Sequence, residues 1–218
     1  MKKLFILLGV LVLAFVFVGC GDTQISTNNG ETPLVEITST ETTADAGISD
    51  EEIHRLYQRA FEALGWFQLT TIPGEWLGID GAIEMYGNLY DVRVTHDRIS
   101  NLADLRVYLA EIFTEDFVDN LFSTYVDGGE IRRFVDVDGV LYTFGADRGT
   151  NITAGEIRYR VIRQNAEKII FQVSVDIHDF ETPWDERSPD NAIDIEESNF
   201  VLINIDGVWL FSDFWLVI

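Results

Sequence analysis

The chain changes hydrophobic period at Asp127-Gly128-Gly129, and that switch limits its fold more than any other feature. Before it, apolar residues recur three and four apart; after it, they alternate. Helices first and strands second bury their apolar faces only against each other. Ser49-Asp50-Glu51-Glu52 has the form of a capping box, and Ile53, Leu56, Ala60 and Leu64 follow on one face, which predicts a helix over about 50–65. Trp66 and Phe67 mark its exit, and Pro73 ends any regular run. A hairpin is expected over 83–94 with Gly87-Asn88 as its turn. Ser100 or Asn101 caps a second helix carrying Leu102, Leu105, Leu109, Ile112 and Phe113. Thr114-Glu115-Asp116 caps a third, carrying Phe117, Val118, Leu121 and Phe122.

Beyond the switch, Asp138-Gly139 joins 131–137 to 140–144, and Asp206-Gly207 joins 200–205 to 208–215. Between these hairpins lie longer strands, 156–163 and 169–178, in which Arg158 and Arg160 alternate with Ile157, Tyr159 and Val161. The expected fold is α+β, with N-terminal helices packed on a curved antiparallel β-sheet meander. Trp66, Phe113, Phe122, Phe171 and Trp209 fall on the apolar phase of their elements and are expected to seed the core.

Ahead of residue 49 the chain has a different character. Met1-Lys2-Lys3 is a positive n-region, 4–18 is a nearly unbroken apolar run, and Gly19 precedes Cys20, the layout of a cleaved secretory signal. The run falls short of the roughly 20 apolar residues a membrane span needs. Around Cys20 the sequence resembles a bacterial lipoprotein lipobox, with Phe17 in place of the usual Leu. That resemblance implies a diacylglycerylated Cys20 as the new N-terminus, anchored to the extracytoplasmic face of the membrane. Residues 20–48 are rich in Thr, Ser, Asn and Glu and are expected to form a disordered tether. The organisation is therefore a signal peptide over 1–19, a lipidated tether over 20–48 and a single domain over 49–218.

The chain carries 15 basic residues against 37 acidic ones, and loss of Lys2 and Lys3 with the signal leaves 13 basic residues and a formal charge of −24. So acidic a surface repels phosphate backbones, which excludes nucleic acid as a partner. Its bland reading is solubility; its sharper one is a basic partner. The one cysteine is taken by the lipid, which leaves no thiol nucleophile.

Common catalytic signatures such as His-Glu-x-x-His, Gly-x-Ser-x-Gly and the phosphate loop are missing, so an enzyme is not expected. Asp136-x-Asp138-Gly139 has some features of a calcium loop, but Phe134 occupies a ligand place and the segment reads better as a hairpin turn. Asp176 and His178 share a strand face beside Asp179, a weak metal candidate, while His54 and His96 stand alone; no metal and no cofactor are expected. A carboxylate pair for glycoside hydrolysis cannot be located from sequence, because it depends on a separation in space. Two loops stand out. The first runs from Gly145 to Thr153, a connection longer than a tight hairpin requires. The second, 180–194, sets Trp184 among five acids and Arg187, where the indole either anchors a contact or tucks onto the sheet.

Several motifs in order carry a resemblance over about 50–218. These are Trp66-Phe67 with Thr71-x-Pro73; Tyr90-x-x-Arg93-Val94; Leu102-x-x-Leu105-x-x-Tyr108-Leu109 with Phe113-Thr114; Asp138-Gly139-x-Leu141-Tyr142; Ala146-Asp147-Arg148-Gly149 with Asn151-Ile152-Thr153; and Asp206-Gly207-x-Trp209. Together they resemble the IseA family of DL-endopeptidase inhibitors. The segment from Pro183 to Pro189 has no counterpart in the pattern. The resemblance implies a non-enzymatic exported protein that binds NlpC/P60-type peptidoglycan endopeptidases through a loop between two strands. Here that inhibitory loop corresponds to Asp147, Arg148, Gly149, Thr150 and Asn151; Trp184, outside the pattern, is a secondary contact candidate on its own residues alone. A carboxylate such as Asp147 suits the imidazolium of a papain-like pair; alternatively, Arg148 pairs with an acid and only shapes the loop. The competing class is a ligand-binding or sensor lipoprotein with a pocket in the curved sheet.

Overall fold

The computed structural model describes residues 37–40, 47–128, 132–146, 149 and 151–217. The signal segment and Cys20 lie outside the described residues. Among these, no helix is long and apolar enough to cross a membrane.

Helix α1, Asp50–Gln68, starts as its sequence predicts. Ser49 Oγ accepts from Glu52 N, and Glu52 Oε2 accepts from Ser49 N at 2.9 Å. This capping box satisfies two donors that a helix start would otherwise leave unpaired. The helix runs three residues past the expected end because Trp66 and Phe67 are buried rather than left at an exit. Its last turn holds no basic residue. Arg133 supplies that charge from far along the chain, donating through Nε to Trp66 O at 2.8 Å and through Nη2 to Thr70 O at 2.7 Å. Burial pushes the Arg133 guanidinium down to about 10.

Helices α2 (Gly78–Gly81), α3 (Leu102–Ala110) and α4 (Glu115–Phe122) follow. The Asn101 side chain accepts from Asp104 N and caps α3, whereas Thr114 precedes α4 without a side-chain cap. The corner between α3 and α4 is stitched to the last strand, since Thr114 N donates to Phe211 O and Phe211 N to Ile112 O.

The strands form separate sheets rather than the single meander expected. In the four-stranded sheet the order is β2 (Gly74–Trp76), β5 (Val92–Val94), β7 (Val140–Thr143), β6 (Phe134–Val137). The five-stranded sheet takes β1 (Ile37–Thr40), β8 (Ala154–Arg163), β9 (Lys168–Ile177), β10 (Asp194–Ile205) and β11 (Val208–Phe211), in that order. Strand β1 runs parallel to β8, inside the segment expected to be a tether, and the other pairs are antiparallel. A two-stranded hairpin, β3 (Ile83–Met85) with β4 (Asn88–Tyr90), completes the set.

Two-residue turns set the hairpin registers. Asp138-Gly139 and Asp206-Gly207 turn as predicted, with both residues of each pair at positive φ. The first hairpin turns at Tyr86-Gly87, one residue earlier than expected, because a primed turn puts glycine second and Tyr86 tolerates φ 52°. Strand β10 begins six residues before 200; its acidic start shows no alternation, but it pairs residue by residue with β9 from Asp194↔Ile177 onward.

The fold is α+β. One face of the five-stranded sheet receives α1, where the Tyr57 ring centroid lies 4.9 Å from Phe171, 5.4 Å from Tyr159 and 5.7 Å from Phe200. Trp66, Phe113, Phe122, Phe171 and Trp209 are all buried in this core.

Candidate functional site

Strand β7 ends in the four-stranded sheet and β8 begins in the five-stranded one, so the connection 144–153 crosses between sheets. Its length is therefore demanded by the topology, which corrects the expectation that a tight hairpin would have sufficed.

Both ends of this connection are clamped by residues distant in sequence. At the start, Thr71 Oγ1 donates to Ala146 O at 2.9 Å and accepts from Ala146 N at 2.8 Å. Gly145 N donates to Asp91 Oδ1 at 3.1 Å, and the indole of Trp76 lies so close to Gly145 that a Cβ there would run into the ring. At the far end, Asn151 Oδ1 accepts from Thr153 N at 3.0 Å and Thr153 Oγ1 at 2.8 Å. Thr153 O accepts from His178 N at 2.8 Å. Gly149 is exposed with open space around it, and Asn151 is half-buried with its amide oxygen holding the turn, a structural task in addition to any contact. Asp147, Arg148 and Thr150 lie outside the described residues.

The second loop, 178–193, sits at the same end of the five-stranded sheet. Trp184 does not tuck onto the sheet; it is 58% exposed, with the Arg187 guanidinium 4.0 Å from its ring centroid. Arg187 also donates to Thr182 O at 3.2 Å, Ala154 O at 3.0 Å and Ile152 O at 2.5 Å. One side chain thus ties the Trp184 loop to the end of the 144–153 connection. Ser188 N donates to Asn191 Oδ1, Asn191 Nδ2 donates to Glu186 O, and Ile193 N donates to Ile177 O. Sequence reasoning named both loops but missed the residue that joins them. It also missed Trp76, which is 63% exposed beside Gly145. Its signal was a tryptophan in a short Gly-Glu-Trp segment between Pro73 and Gly78, too short to show a buried phase.

The weak metal candidate resolves into an ion pair. Arg158 holds Asp176 through both oxygens, Nη1 to Oδ2 at 2.7 Å and Nη2 to Oδ1 at 2.5 Å. These bonds keep the Asp176 carboxyl below its ordinary range although burial works the other way. His178 is buried against Gly155, and its Nδ1 has no hydrogen-bond partner. Asp136, in the segment weighed against a calcium loop, accepts from Gly139 N at 2.9 Å within the turn. Among the described residues no group of three or more His, Cys, Asp and Glu is placed to hold a metal. Glu111 is pulled down by its bond from Arg98, assisted by Arg59, and Glu52 is pulled down by its bonds from Ser49.

A groove of about 530 Å³ runs between the start of α1 and the β10–β11 turn, lined by Glu52, Arg55, Leu56, Arg59, Val208 and Trp209 among others. A smaller cleft of about 280 Å³ lies between α1 and α4, with Leu64, Phe117, Leu121 and Phe214 in its walls. Compared with models of known protein families the chain matches none, and compared with curated proteins it matches none at a significant level.

Proposed function

We propose that this chain is an extracytoplasmic protein, tethered to the membrane through a lipidated Cys20, that binds cell-wall DL-endopeptidases of the NlpC/P60 kind and inhibits them without chemistry of its own. The observation that supports it most is the clamped 144–153 connection, presented between two exposed tryptophans, Trp76 at its start and Trp184 near its end. A loop fixed at both ends pays little ordering entropy on docking. Exposed indoles are the side chains most often found as contact anchors. The acidic surface favours encounter with hydrolases whose own surfaces are positive for work on an anionic wall.

The sensor reading keeps one observation, the groove beside Trp209, but Glu52, Arg55 and Arg59 make it charged and it lies at the β11 edge of the sheet.

The test is digestion of peptidoglycan by a purified NlpC/P60 endopeptidase with and without the Cys20→Ser chain lacking residues 1–19. Inhibition is expected in stoichiometric amounts. Replacing 147–150 by Gly-Ser while keeping Asn151 should leave the circular dichroism unchanged and weaken inhibition by at least about 2 kcal/mol, the scale of an interface hot spot. Full inhibition by that variant would remove the loop from the contact.

A further inference from the structure

The stretch from Pro183 to Pro189 has no counterpart in the resemblance, yet the connection 178–193 that contains it is pinned by the Arg187, Ser188 and Asn191 bonds. Three exposed apolar side chains, Phe180, Trp184 and Ile193, project from it, and Ile152 and Ile195 stand exposed where it meets β8 and β10. Between Asp179 and Glu197 there are eight acids, at 179, 181, 185, 186, 190, 194, 196 and 197, against a single base, Arg187. Arg187 is not offered to a partner, because its guanidinium faces the Trp184 ring and three backbone carbonyls. The exposed charge of this segment is therefore all negative, beside its exposed apolar side chains. Single exposed apolar residues are ordinary, whereas five gathered at one end of a sheet suit a contact.

We propose that this face is a second docking surface for the same peptidase, fitting a basic surface with an apolar hollow, so that the inhibitor grips outside the cleft that the 144–153 loop enters. The assignment rests on the inhibitor reading above. Charge decides the occupant. A second copy of this chain would bring eight more acids against eight, and an anionic lipid surface would repel the same rim, whereas a cationic protein surface is attracted from a distance and then desolvates the indole and phenyl rings. The Arg187 clamp gives the two contacts a fixed spacing, since Ile152 O and Thr182 O bond the same guanidinium. Two linked contacts multiply affinity when their geometry is fixed. The acidic rim governs the association rate, and the apolar centre governs dissociation.

The experiment measures binding of the intact Cys20→Ser chain lacking residues 1–19 to a purified NlpC/P60 endopeptidase at low and high salt. The variants are Phe180→Ser with Ile193→Ser, which leaves the Arg187 clamp alone, and Asp185→Asn with Glu186→Gln and Asp190→Asn. The apolar pair should raise the dissociation rate at least about tenfold. The charge variant should slow association several-fold at low salt and lose that deficit at high salt. Binding by the apolar pair equal to the parent's overturns the docking surface while leaving the inhibitor reading in place. No binding by the parent chain overturns both. A dimer of the parent that dissociates on the same substitutions assigns the face to a second copy, and uptake by anionic vesicles assigns it to lipid; either result overturns the proposal.

Discussion

The five-stranded sheet has two ends built on different economies. At one, β8 turns into β9 through 164–167 and β10 into β11 through Asp206-Gly207 alone. There Asn165 Oδ1 accepts from Glu167 N and Asn204 Oδ1 accepts from Gly207 N, so the turn side chains are spent on the turns themselves. At the other end the chain arrives through 144–153 and leaves and returns through 178–193. Those connections are long enough to carry side chains the turn does not need, and Ile152, Phe180, Trp184 and Ile193 are left in solvent. Lengthening a loop costs little, since closure entropy grows only with the logarithm of its length. Holding it in one shape is the larger demand, met here by Thr71, Asp91 and Arg187. The tight end serves stability, and the long end is where binding is expected.

The largest expected effect sharpens that division from the tight side. Trp209, on β11 next to the Asp206-Gly207 turn, is buried in the shared core. Trp209→Ala should cost about 3–5 kcal/mol and lower Tm by about 10 °C, read by thermal melting. Inhibition per folded molecule at 20 °C should be unchanged. A loss below about 1 kcal/mol would place the indole on the surface, and a loss of inhibition at full folding would break the comparison.

Local chemistry was legible where one stretch of sequence decides the outcome. The capping box at Ser49, the cap at Asn101 and the Asp138-Gly139 and Asp206-Gly207 turns formed as their residues dictate. Core membership was legible too, because Trp66, Phe113, Phe122, Phe171 and Trp209 each sit on an apolar phase. Partner choice was not. Nothing in 131–143 says that β7 pairs with the three-residue strand β5 instead of joining the longer strands, and β2 and β5 are too short to alternate visibly. The acidic start of β10 looked like loop because its exposed residues carry no period; register with β9 imposed the strand. At the site, Asn151 was chosen as a contact residue, yet its amide oxygen caps Thr153. Arg187 and Thr71 were invisible as clamps because their bonds join residues 33 and 75 positions apart.

A middle-sized effect tests what keeps the long end in shape. Asp176 and Arg158 bridge β9 and β8 there, and the guanidinium bonds hold the Asp176 carboxyl below its ordinary range. A carboxyl lower in the folded than in the unfolded state stabilises above its unfolded pKa, and that stability is lost as pH falls through the folded value. Asp176→Asn should therefore cost about 2 kcal/mol at pH 7, less than a fully buried pair because Arg158 retains some solvent. The gap from the parent should close progressively below about pH 4, where the ordinary carboxyl titrates. Urea unfolding at a series of pH values reads it. A gap that stays constant down to pH 2 would mean that shape, not charge, is what Asp176 provides.

The smallest effect compares one glycine from each end. Gly207 sits at φ 89° in a two-residue turn, a conformation in which any side chain meets its own backbone. Gly207→Ala should cost about 1–2 kcal/mol. Gly149, in the long connection, has nothing among the described residues within 4 Å of where a Cβ would stand. Gly149→Ala should leave stability within about 0.5 kcal/mol of the parent, or raise it slightly by restricting the unfolded chain. The two substitutions are chemically identical, so a difference in unfolding free energy isolates what each end asks of its glycine. Inhibition separates them in the opposite sense. A methyl group at 149 points into space that a docked peptidase would fill, so Gly149→Ala should weaken inhibition with stability intact, whereas Gly207→Ala should weaken stability with inhibition intact. Equal inhibition by both variants would show that the partner approaches the 144–153 connection from a side other than the one Gly149 leaves open.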